Sequence, residues 1–67
     1  MYPNLKAEQA RKGMKNKEMA TMLGIQQDAY ERRMRSGRFV ADECLKLCQF
    51  FNCSFEYLFA TDNGHTA

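Results

Sequence analysis

The stretch NKEMATMLGIQQDAYERRMR, residues Asn16 to Arg35, divides into two short helical segments about one glycine, Gly24. Before the glycine, Met19, Ala20, Met22 and Leu23 recur at the spacing of one helix face. Gly24 tolerates the positive φ that ends a helix and turns the chain. Ile25 follows as the expected buried pivot, and a second helix runs from about Gln26 to Arg35, ended by Ser36-Gly37. Two helices that cross steeply need a small side chain at the approach, and Ala20 supplies it. Met19, Leu23, Ile25 and Tyr30 are the apolar contacts expected to lock the pair. The spacing A-x3-G-I-x4-Y favours this crossed pair over a general helical hairpin that ends in glycine.

Working outward, Asn4 is the expected N-cap of a first helix from Leu5 to Lys12, closed by Gly13. Asn16 or Lys15 opens the second. A fourth helix starts near Val40 to Asp42, and Cys44, Leu47, Cys48 and Phe51 follow the i, i+3, i+4, i+7 pattern of a buried face. Asn52-Cys53 reads as a turn, and Ser54 caps a short fifth helix reaching about Phe59. Residues 4–59 are therefore expected to form one all-α, five-helix domain. The remainder, ATDNGHTA from Ala60 to Ala67, reads as a polar, flexible tail.

With 67 residues the chain sits near the lower size at which one apolar core suffices. A 45% hydrophobic content with five Phe and five Met excludes a disordered chain. No apolar run approaches a membrane span and no leader pattern is seen, so a cytoplasmic protein is expected. Three cysteines, an odd number outside any disulfide framework, are expected to be reduced thiols. The net charge of +2 is unevenly spread. Residues 1–38 hold nine Lys or Arg against four Asp or Glu, a net of +5, whereas residues 39–67 carry a net of −3. Such a field orients a small domain toward a polyanion.

With the flanks included, the chain resembles the Cro/cI-type (lambda-repressor-like) helix-turn-helix family, especially its small phage and prophage regulators. NLKAEQARKGM is similar to that family's first helix and turn, KEMATMLGI to its second helix and pivot, and CLKLCQFFNCSFEYLF to its closing helices. The resemblance covers Asn4 to about Phe59. It implies a DNA-binding transcriptional regulator of repressor type, with the third helix in the major groove. Gln27, Asp28 and Arg32 would read bases, with Gln26 or Glu31 at the edge of reach. A glutamine amide can pair with adenine N6 and N7 and an arginine with guanine O6 and N7, each worth roughly 1–3 kcal/mol of discrimination. Asp28 accepts from cytosine N4, caps the helix or faces solvent. Phosphate contacts would come from Asn16, Lys17 and Gln26, and from Arg35, Ser36 and Arg38 beyond the reading positions.

Four departures from the family stand out. Lys15-Asn16 replaces the usual Thr-Gln at the start of the second helix. Arg33 occupies a usually apolar position. The family's Arg in the first helix and its Glu near the end of the third are Gln9 and Met34 here. These changes suggest an interhelical ion pair moved by one position, from Glu8 to Arg33, with Met34 taking the apolar slot. Finally, the SGRF connection after the third helix is short and lacks proline, and the fourth helix has no Ser or Thr cap.

Cys44, Cys48, Cys53 and His65 contain ligand types for zinc, but C-x3-C-x4-C is not the spacing of a structural site, so core filling is the expectation. No nucleophile–base set or phosphate-cradling loop is visible; neither an enzyme nor a cofactor is expected. Double-stranded DNA with a two-fold operator is the expected partner, since a single module buries only about 600–1,000 Å². Phe55, Tyr57, Leu58 and Phe59 are the candidate homodimer contact; the alternative is that they complete the core of a monomer. The rival function is a protein-interaction module, an antirepressor or adaptor that keeps the fold without operator binding.

Overall fold

The computed structural model describes residues 1–61, and within them the chain is all-α: α1 (Pro3–Arg11), α2 (Asn16–Leu23), α3 (Gln27–Ser36), α4 (Ala41–Phe51) and α5 (Phe55–Leu58). Most of the tail expected from Ala60 to Ala67, His65 included, lies outside the described residues. The most extensive helix–helix contact joins α2 and α3 through the three residues Gly24 to Gln26.

The first helix starts earlier than Asn4 predicts. Pro3 occupies the first turn, where its missing N–H costs nothing and its fixed φ suits the helix. Asn4 therefore lies inside α1 and caps nothing; its Nδ2 donates to Tyr57 O at 2.8 Å, tying α1 to α5. Lys15, not Asn16, is the N-cap residue of α2, and the Glu18 carboxylate accepts its N–H at 2.7 Å. At the other end, Gly24 has φ 74°, and the Ile25 N–H returns to Ala20 O at 3.0 Å. Ser54 caps α5 as expected, its Oγ accepting the Tyr57 N–H at 3.2 Å.

One core joins all five helices. Leu5, Met19, Ala20, Leu23, Tyr30, Leu47, Phe51 and Leu58 are buried in it. Ile25 is half-buried at its margin rather than the buried pivot expected, because the chain turns outward immediately after Gly24. Cys44 and Cys48 are likewise half-buried, shifted to the side of the α4 face that Leu47 and Phe51 bury. Met34 packs against the core in the apolar slot.

Tyr2 is the residue that the sequence left unassigned. It is buried, stacks edge-on with Phe59 at 5.2 Å, and donates from its hydroxyl to Gly37 O at 2.9 Å. The N-terminus thus clamps the connection between α3 and α4. Gly37 has φ 75°, and a Cβ there would collide with the Met1 sulfur and press on the Tyr2 hydroxyl. Gly24 has a similar φ but open space around it. Gly24→Ala is expected to cost about 1–2 kcal/mol of left-handed strain. Gly37→Ala should cost measurably more, as a larger drop in urea midpoint, because the Tyr2 clamp must also shift; equal midpoints would contradict this packing.

Candidate nucleic-acid interface

The solvent side of α3 presents Gln27, Asp28, Arg32 and Arg35, all exposed, with Glu31 half-buried between them. Successive steps of three and four residues bring these side chains onto one face. Tyr30 points the other way, into the core, and anchors the helix. Arg32 lies 3.9 Å from Asp28, both well exposed. An exposed pair of this kind holds the guanidinium only weakly, so Arg32 can exchange Asp28 for another acceptor at little cost. Asp28 makes no cap for α3; Gln26 holds that position with no side-chain cap bond.

A hydrogen-bond chain runs from the core to this surface. Tyr30 OH donates to Gln9 Oε1 at 2.6 Å. Gln9 Nε2 donates to Met14 O at 3.1 Å and to Asn16 Oδ1 at 2.9 Å. Asn16 Nδ2 then donates to Glu31 Oε2 at 3.1 Å, and Gln27 Nε2 donates to the same oxygen at 2.9 Å. The bonds from Gln27 and then Asn16, aided by nearby Arg35 and Lys6, hold the Glu31 carboxyl below the usual carboxylate range. At the inner end, burial raises the Tyr30 phenol, keeping it a neutral donor. Gln9 is buried, so its four polar sites need partners, and the network supplies three.

Asn16 is accordingly not a free clamp. Its oxygen and one N–H are committed, leaving one N–H for an outside acceptor. Lys17 is exposed in the first turn of α2, and Ser36 and Arg38 are exposed beyond the polar face of α3. Lys6, Asn16, Glu31 and Arg35 line a cavity of about 340 Å³ between α1, α2 and α3. The surface therefore offers amide and guanidinium groups in its middle and cations at its edges. That combination can hydrogen-bond base edges and neutralise phosphates.

The expected Glu8–Arg33 pair does not form. Glu8 faces α5, accepting from Tyr57 OH at 2.9 Å and pairing with Arg11 at 3.3 Å. Arg33 faces the start of α4 instead, where its Nη1 lies 2.7 Å from Glu43 Oε2, off the line of an aligned hydrogen bond. Glu43 Oε1 also accepts the Val40 N–H at 3.1 Å, so this carboxylate does the capping that no Ser or Thr performs. Glu43 was missed by the sequence reading. Its signal is Glu at the third position of an uncapped helix, one turn before Leu47 on the buried face.

At the far end, Leu58 is fully buried and belongs to no outer surface, while Phe59 is half-buried beside Phe55. Phe55 and Tyr57 are exposed. Phe55 joins Phe39, Leu45, Cys44 and Cys48 around an apolar groove of about 620 Å³. Burial raises the Cys44 and Cys48 thiols above their ordinary range. Among the described residues no group of side chains can hold a metal ion, and no helix is long and apolar enough to cross a membrane. No known protein family, curated protein or solved structure matches this chain.

Proposed function

We propose that the chain is a sequence-specific, double-stranded DNA-binding regulator of transcription, repressor-like, with a lambda-repressor-like helix-turn-helix formed by α2 and α3. The observation that carries this reading is the exposed face of α3, where Gln27 and Arg32 stand between the cations Lys17, Arg35 and Arg38. The N-terminus of α3 enters the major groove. Gln27 and Arg32 read bases, and Asp28, freed of a capping role, accepts from cytosine N4. Lys17, Arg35 and Arg38, with the remaining N–H of Asn16 and the polar Gln26 and Ser36, meet the phosphates. Two copies bind a two-fold operator. The apolar groove beside Phe55 is the homodimer contact in this reading; Leu58 is withdrawn from it by its burial. The same groove is what favours the second reading, a protein-interaction module.

Selection of duplexes from a random library, followed by mobility shift over a salt series, separates the two. A steep salt slope with a selected sequence supports the regulator, and no binding at low salt supports the interaction module. Within the regulator reading, Arg32→Ala is expected to relax preference at one base position, losing roughly 1–3 kcal/mol of discrimination there. Arg38→Ala should weaken all sequences alike and flatten the salt slope by about 1. Identical effects of the two substitutions would refute the division into reader and phosphate clamp.

A further inference from the structure

We propose that Glu31 is a positioning residue of the DNA-reading surface, aiming the Gln27 amide at adenine and tying that reader to α2. The proposal rests on the DNA-binding function above and adds to it the base that Gln27 selects and the residue that makes it selective.

The argument is one of forced orientation. An ionised carboxylate only accepts hydrogen bonds, so both amides that touch Glu31 must present nitrogen to it. Glu31 Oε2 takes Gln27 Nε2 at 2.9 Å and Asn16 Nδ2 at 3.1 Å. The Asn16 amide is fixed independently from behind, because its oxygen accepts from Gln9 Nε2. Gln9 in turn is oriented by an obligatory acceptor, Met14 O, and by the Tyr30 hydroxyl. Every amide along this path therefore has one orientation, set from the buried Tyr30 outward. Gln27 is left with its Oε1 and one Nε2–H uncommitted. Those two groups form the acceptor–donor pair that matches adenine N6–H and N7. Without an acceptor oxygen at residue 31, a glutamine on an exposed helix face can turn its amide either way and can pair with other base edges.

Glu31 also has a position that needs an explanation. A negative side chain on a surface that meets phosphates opposes binding, and here Lys6 and Arg35 line the same cavity and offset it. A residue serving only solvation has no need of two donors on one oxygen.

The test uses the full chain as wild type, Glu31→Ala, Glu31→Gln and Gln27→Ala, each checked for retained helicity. Duplexes are selected by the wild type, and binding to the selected duplex and its single-base variants is measured by fluorescence anisotropy at fixed salt. Gln27→Ala identifies the base pair that depends on Gln27, expected to contain adenine, with wild-type discrimination of roughly five- to 150-fold there. Glu31→Ala is expected to lose most of that discrimination while leaving the Arg32-dependent base pair at its wild-type value. Glu31→Gln keeps an oxygen acceptor, which the Asn16 Nδ2 fixed by Gln9 holds toward Gln27, and retains the preference, with tighter binding to all sequences because a negative charge is gone. The assignment of Glu31 is overturned if Glu31→Ala leaves the Gln27-dependent preference intact, or lowers preference equally at every position, or if Glu31→Gln loses as much as Glu31→Ala. A Gln27-dependent pair without adenine overturns the base assignment. A wild-type chain that selects no sequence overturns the DNA-binding function itself, which is a separate result. A second measurement does not depend on the alanine variant folding: in Glu31→Gln the side-chain amide resonances of Gln27 and Asn16 should shift together. Resonances that stay unmoved would also overturn the assignment.

Discussion

Leu47→Ala is expected to lower the free energy of unfolding by about 2–5 kcal/mol, the range for deleting a fully buried leucine that leaves a cavity. Leu47 is completely buried where α4 crosses the core, among residues from every other helix. A domain of 67 residues has a total stability of roughly 3–10 kcal/mol, so a loss of this size can leave much of the population unfolded. Urea denaturation followed by circular dichroism should show a lower midpoint with an unchanged slope. Under the proposed function DNA binding should fall with it, because α3 holds its shape only while Tyr30 is packed. A loss below about 1 kcal/mol would mean that α4 does not carry the core in this way.

Glu43→Ala is the second large effect, and its cause is electrostatic as well as steric. The substitution strands the Arg33 guanidinium, whose side chain is 28% exposed, and removes the acceptor of the Val40 N–H. Breaking a fully buried pair costs roughly 3–5 kcal/mol. Partial exposure lets Arg33 reach water, so about 2–3 kcal/mol is expected here, including the lost cap. Replacing both residues, as Arg33→Met with Glu43→Gln, should recover most of the loss, since an apolar pair member needs no anion and the amide oxygen still caps α4. A double variant no more stable than Glu43→Ala would show that neither the stranded charge nor the lost cap accounts for the loss. The comparison matters for function because the pair fixes α3 against α4 from behind, on the side away from Gln27 and Arg32.

The two predictions concern features of unequal legibility. Leu47 was readable from its helical spacing with Cys44, Cys48 and Phe51, because a buried stripe repeats within one helix. The helix stops at Gly24 and Gly37 and the Ser54 cap were readable for the same reason, each resting on neighbours a few residues away. Arg33 could be read as needing a partner, but the partner chosen, Glu8, was wrong. Glu8 is claimed instead by Tyr57, 49 residues distant, and nothing local distinguishes it from Glu43. Asn4 failed as a cap in the same way, and of the two residues open as the start of α2 the cap is Lys15, not Asn16. Asn4 and Asn16 are both good cap residues by type, yet Pro3 starts α1 two residues early and the network through Gln9 and Glu31 draws the Asn16 amide inward. The candidate surface was legible as a set of residue types on α3. The Gln27–Glu31 bond is an i, i+4 contact within α3, but its link through Asn16 and Gln9 to Tyr30 was not legible, since that chain runs through three helices.

By itself, the sequence from Asn16 to Arg35 determined that the chain turns between two helices at Gly24 and that α3 exposes a polar, basic face. Those properties follow from backbone freedom at one glycine and from a period of 3.6 residues, both local. Only the tertiary structure decided which polar groups on that face remain available. Asn16 is largely committed, Arg33 is withdrawn to Glu43, and Gln27 and Arg32 are left outward. The physical reason is that a hydrogen bond or ion pair selects its partner by distance in space, and the close approaches among α1, α3, α4 and α5 exist only once the shared core has formed.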